Sequence, residues 1–200
     1  WETVTLDLPN ASSDYYLAFN GTAGYGYGLT IDDVCVATAG VSNEELLAFL
    51  GSGSWRSEAE TAGHIGVGPS GSTNAEWWNA NAYDKADTGL YDDRWSFADG
   101  VLTVDTGDDG AIFGKKAEID AAFPDNTPYD ADNSDNEYLY YALEDYTDTF
   151  VADATNNTIT FATNGNLGFF TSVAGQEFQI LETTDNTVYL RNVGSEGNAW

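Results

Sequence analysis

The chain has 200 residues and sets 33 acidic against 6 basic side chains, for a formal net charge of −27. A hydrophobic content of 42% and an aromatic content of 14% are enough to bury a core, which excludes a disordered polyanion. The charge excludes nucleic acid and anionic membrane faces as partners, since both need clustered Lys and Arg, and no apolar run is long enough to insert directly into a bilayer.

Turn signals recur roughly every 8–12 residues, and the runs between them alternate in polarity, the pattern of an all-β antiparallel sandwich. In chain order, Thr3–Leu8, Tyr15–Asn20 and Gly28–Val36 read as strands. The small residues at Ala37–Gly40 mark a boundary. Ser42-Asn43-Glu44-Glu45 is then a capping box opening one short helix through Leu50, stopped by Gly51. Strands follow at Trp95–Phe97, Val101–Asp105, Tyr138–Glu144, Thr158–Ala162, Glu177–Glu182 and Val188–Asn192. Asp99-Gly100 joins two of them as a two-residue hairpin.

Cys35 is the sole cysteine and lies in an alternating apolar run, which suits a buried thiol. His64 is the sole histidine, so a two-histidine metal site is excluded, and no nucleophile elbow supports a triad built on it. The signature E-x-D-x-x-E of laminarinase-type glycosidases does not occur. Carboxylate couples such as Asp92-Asp93, Asp108-Asp109 and Glu58/Glu60 have no motif around them, so the expectation is a non-catalytic protein.

The densest constellation is Trp77, Trp78, Tyr83, Tyr91, Trp95 and Phe97, interleaved with Lys85, Asp92 and other acids. An exposed indole stacks on the apolar face of a pyranose while Asp, Asn and Lys contact its hydroxyls. Strand alternation predicts that one of Trp77 and Trp78 is core and the other exposed. Trp95 and Phe97, flanking the hairpin at i and i+2, read as core. The ligand-binding candidates are therefore Trp77, Trp78, Tyr83, Lys85, Tyr91 and Asp92; the alternative is that all these rings fill the core.

Two acidic loops present oxygen ligands at spacings suited to calcium: Asp105, Asp108 and Asp109 before Gly110, and Asp130, Asp132 and Asp135. Neither is an EF-hand, and solvated loop acid is the alternative reading for both.

Two resemblances add to this. Residues 1–38, ending in Ile31-Asp32-Asp33-Val34, resemble the last strands of a MAM-like or choice-of-anchor jelly roll. Farther on come Gly63-His64-Ile65-Gly66-Val67-Gly68-Pro69, Trp77-Trp78, Lys85 and Gly89-Leu90-Tyr91-Asp92-Asp93, then Tyr189-Leu190-Arg191 and Asn198-Ala199-Trp200. That series resembles the glycan-binding modules on surface proteins of polysaccharide-foraging Gram-negative bacteria, from loci that degrade β-glucans such as laminarin. The resemblance implies a non-catalytic, jelly-roll-like sandwich over residues 39–200 of a secreted or outer-membrane protein.

The chain lacks Met and runs from Trp1 to Trp200, so it reads as a piece of a longer extracellular protein, cut within the second module. The expected partners are a polysaccharide, a neutral β-glucan first, and further domains of the same chain. The rival expectation is an adhesin or structural spacer of a surface fibre.

Overall fold

In a computed structural model of the protein, residues 41–126, 138–171 and 176–200 are described. The chain divides into two units, Trp1–Gly40 and Val41–Trp200. The jelly-roll reading of residues 1–38, Cys35 and the loop with Asp130, Asp132 and Asp135 lie outside the described residues.

A reciprocal cap starts the second unit. The Ser42 hydroxyl accepts from the Glu45 amide at 3.2 Å, and the Glu45 carboxylate accepts from the Ser42 amide at 2.8 Å. Two orphan donors of the first turn are thereby satisfied, and α1 (Asn43–Leu50) follows as the spacing predicts. Leu46 and Leu50, one turn apart, form its buried stripe.

The strands come next: β1 (Ser54–Trp55), β2 (Gly66–Pro69), β3 (Trp78–Asn79), β4 (Arg94–Ala98), β5 (Val101–Asp105) and β6 (Ala111–Lys115). After α2 (Lys116–Ala122) come β7 (Tyr138–Ala142), β8 (Tyr146–Asp153), β9 (Thr158–Phe161), β10 (Glu177–Thr183), β11 (Val188–Asn192) and β12 (Asn198–Ala199). The fold is all-β, the sandwich class that the alternation predicts, and the pairings between the described strands are antiparallel. A seven-stranded sheet runs β1-β4-β5-β8-β9-β10-β11, a three-stranded sheet β12-β2-β3, and β6 pairs with β7. Asp99 and Gly100 take φ of 51° and 77°, the left-handed pair that a tight hairpin between β4 and β5 demands.

β8 makes the large sheet curl. Its first half pairs with β5, from Tyr146↔Val104 to Thr149↔Val101, and its second half with β9, from Phe150↔Phe161 to Asp153↔Thr158. Asp148 sits at the changeover. Its buried carboxylate accepts from the Thr149, Thr163 and Gly165 amides at 2.8, 2.9 and 2.7 Å and from the Thr163 hydroxyl at 2.9 Å. A single charge thus pins the strand to the turn leaving β9, beside the backbone bond from the Ala162 amide to the Thr149 carbonyl at 3.0 Å.

The core uses the inward phase of these strands. Trp95, Phe97, Leu102, Val104, Phe150, Ile159, Phe161 and Phe178 pack with Leu46 and Leu50 of α1, so Trp95 and Phe97 are core, as expected. A second cluster joins Ile112, Leu143 and Phe170 to Ile119 of α2.

That helix is a correction, because the sequence reading gives one helix only. Lys-Ala-Glu-Ile-Asp-Ala-Ala has good helix formers and an i,i+4 Lys116–Asp120 pair, and Pro124 follows its end. Its seven residues are too few to show a helical period.

Candidate functional site

The site is built around β3. This two-residue strand is the outer member of the β12-β2-β3 sheet, held by the pair Val67↔Trp78 and a bond from the Trp77 amide to the Val67 carbonyl at 3.1 Å. Trp77 is 59% exposed and Trp78 38% exposed. The expectation that one of them is core is therefore corrected. Trp77 lies just before β3 rather than in it, so strand alternation does not send the two rings to opposite faces.

The two indoles have different neighbours. The Lys85 ammonium lies 4.8 Å from the centroid of the Trp78 ring and 5.4 Å from that of Phe113, a buried core residue. Lys85 thereby ties the exposed indole to the core through cation–π contacts on both sides. Tyr83, 57% exposed, stands edge-on to Tyr91 at 6.3 Å between centroids. Its φ of 60° is a left-handed conformation that non-glycine residues seldom take, and its amide is fixed to the Ala59 carbonyl at 2.8 Å.

Tyr91 acts as the strut of the group. Its hydroxyl accepts from the Lys85 amide at 3.0 Å and meets His64 Nε2 at 2.7 Å, while His64 Nδ1 lies 2.7 Å from the Thr61 carbonyl. A carbonyl only accepts, so Nδ1 carries a proton that it donates to Thr61. Burial pushes the Tyr91 phenol above its ordinary range, the Lys85 amide opposes that shift, and the Asp84 charge adds to it.

The structure thus connects Trp78, Lys85, Tyr91 and Tyr83 and sets Trp77 next to Trp78, just before the strand. His64 is the member that sequence reasoning missed. It reaches Tyr91 across 27 positions, and no local spacing announces that pair.

Asp92 goes elsewhere. Its Oδ2 accepts from the amides of Asp108 and Asp109 at 3.0 and 3.4 Å, in a nest shaped by Gly107 at φ 68°. The Cβ of any other residue at Gly107 would lie 2.3 Å from that oxygen. The expected calcium loop is likewise occupied with its own backbone: Asp105 Oδ1 accepts from the Gly107 amide at 3.0 Å and Asp109 Oδ1 from the Ala111 amide at 2.9 Å. Among the described residues, no three His, Cys, Asp or Glu side chains are already gathered as ligands of one ion.

Two concavities stand out, and the first takes in His64 and also Gly66, the partner of Asn79 in β3. A cleft of about 610 Å³ has ring walls from Trp55, Trp95, Phe97, Phe169, Phe178 and Trp200. A groove of about 770 Å³ across β8 to β11 is polar, with Thr158, Thr160, Glu177 and Gln179. Neither is lined by Trp77, Trp78, Tyr83 or Lys85.

No family model matches the chain, and no curated protein matches it. The site has to be read from its own chemistry.

Proposed function

We propose that this protein binds carbohydrate without cleaving it, as a module of a larger cell-surface or secreted protein, through the surface around Trp78, Tyr83, Lys85 and Tyr91. The observation that carries the proposal is the pair of adjacent exposed indoles at the start of an edge strand, one of them backed by an ammonium and a hydrogen-bonded tyrosine. Large exposed rings are costly to leave in water, and a fixed ring loses little entropy when a pyranose stacks on it. Lys85 covers one face of Trp78, and the other face is the stacking surface.

Binding rather than catalysis is favoured by where the nearby carboxylates are committed. Asp84 Oδ2 accepts from the Asn81 amide at 2.6 Å and its side-chain amide at 3.0 Å, and Asp92 is held by the Gly107–Asp109 turn. A general acid and base would have to be free to face a glycosidic bond.

The net charge of −27 selects the ligand class. Sulfated and uronate-rich polymers are repelled, so a neutral glucan of the β-glucan type is the proposed ligand, bound weakly at each site and strongly through repetition along the polymer. Affinity gels cast with a neutral β-glucan and with a polyuronate test this. Retardation in the first and free migration in the second is the expected result. Free migration in both would favour the spacer or adhesin reading.

A further inference from the structure

The ring-walled cleft of about 610 Å³ plays no part in the surface around Trp78, and neither does the motif Tyr189-Leu190-Arg191 that lines it. Tyr189, on β11, is 47% exposed, and its side chain meets no partner among the described residues. Trp55 and Trp200 add two half-buried rings, each held in one orientation. Trp55 Nε1 donates to the Leu50 carbonyl at 2.7 Å, and Trp200 Nε1 to the Glu196 carboxylate at 3.2 Å.

Polar groups stand around these rings. Asn74 and Asn186 line the cleft, and neither side-chain amide has a partner among the described residues. Both sit on turns that are already closed: the Asn74 backbone amide donates to the Ser72 hydroxyl at 3.0 Å, and the Thr184 amide to the Thr187 carbonyl at 2.9 Å. Arg191 ties β11 to the chain between β2 and β3 by donating to the Ser70 carbonyl and, through Nε at 2.7 Å, to the Ser72 carbonyl. The spacing of rings and amides is thus fixed before a ligand arrives. The two arginines of the cleft are engaged, Arg191 by those carbonyls and Arg56 by both oxygens of Glu60 at 3.0 Å. An acidic ligand finds no free guanidinium there, and a wholly apolar one would strip water from the two amides without replacing it. A neutral sugar satisfies both, since its C–H faces stack on rings while its hydroxyls pair with amides.

The cleft also shares a wall with the first surface. Its loop at 56–64 holds the Tyr83 amide through the Ala59 carbonyl at 2.8 Å, and His64 of that loop meets the Tyr91 hydroxyl at 2.7 Å. We propose that the cleft continues the carbohydrate site, and that Tyr189, with Trp55 and Trp200, takes further residues of the same neutral glucan chain that stacks on Trp78. The inference rests on the carbohydrate reading and deepens it: the ligand is an extended stretch of polymer, anchored at Trp78 and followed into the cleft.

Calorimetric titration of a graded series of β-glucan oligosaccharides, from disaccharide to polymer, into the wild type, Tyr189→Ala and Tyr189→Phe tests it. Wild-type affinity is expected to rise with length until the chain reaches the cleft, and then to level. Tyr189→Ala should bind the short members as the wild type does and lose about three- to tenfold in affinity for the long ones. Tyr189→Phe keeps the ring and should keep the wild-type rise. Tyr189 is exposed, so both variants should melt near the wild type; Asn186→Ala should show the same selective loss and serves if Tyr189→Ala does not fold. Long members that bind Tyr189→Ala as tightly as the wild type would overturn the inference and leave the carbohydrate reading standing. A wild type that binds no member of any length would overturn both.

Discussion

Two buried aspartates meet opposite fates. Asp148 is opposed by burial, but the Thr163 and Gly165 amides, the Thr163 hydroxyl and the Thr149 amide outweigh that and hold its carboxyl below the usual range. Its contribution is complete above the unfolded value of about 4 and is lost as pH falls through the lower folded value. Asp148→Asn should cost about 2–4 kcal/mol at neutral pH, because three amides and a hydroxyl lose a charged acceptor; denaturant unfolding reads it. For Asp93, burial comes first and the charges of Asp92, Asp109 and Asp105 add to it, pushing the carboxyl up to about 9. The folded state keeps a proton that the unfolded chain releases near pH 4. Its stabilisation is therefore complete below about pH 4 and declines by up to ~1.4 kcal/mol per pH unit towards about 9. Asp93→Asn should gain on the wild type as pH rises from acid to neutral, as read by denaturant unfolding. A constant difference between the two would show that Asp93 titrates normally.

At the level of elements, a close backbone approach fixes β6. Gly114 pairs with Phe170, and the flanking amides bond across at 2.7 and 2.8 Å. A Cβ at Gly114 would lie 2.4 Å from both the Phe170 Cβ and its carbonyl oxygen. Gly114→Ala should therefore destabilise by about 3 kcal/mol or more, as overpacking against backbone leaves nothing soft to yield; a melting curve close to wild type would contradict the packing described. What sequence alone revealed follows the range of the forces involved. α1 and the Asp99-Gly100 hairpin were legible because a cap and a tight turn are decided within four residues. β8 was not, because an inward Asp148 between Tyr146 and Phe150 breaks the alternation that marks a strand. Trp77, Trp78 and Tyr83 were legible as candidate binding rings, although strand alternation put one of the two indoles in the core and both are exposed. Their arrangement was not, since the edge position of β3, the turn that captures Asp92 and the His64–Tyr91 bond all come from pairings distant in sequence.

Across the whole molecule, repulsion between like charges is the strongest long-range force. Arg56–Glu60, Lys115–Glu196 and Lys116–Asp120 pair cations with acids among the described residues, which leaves most of the net charge of −27 facing solvent. Raising monovalent salt from about 0.01 M to about 0.15 M shortens the screening length from ~30 to ~8 Å and should raise the melting temperature. A fall would mean that attractive pairs outweigh the repulsion. Ring stacking on a neutral glycan, by contrast, should be almost indifferent to that change, so salt separates the two kinds of interaction. The most direct test of the account is calorimetric titration of a neutral β-glucan into the wild type, Trp77→Ala and Trp78→Ala, each with its melting curve. Both indoles are exposed, so both variants should melt near the wild type. Trp78→Ala should abolish binding, and Trp77→Ala should weaken it less. A Trp78→Ala variant that keeps its fold and binds as the wild type does would contradict the account.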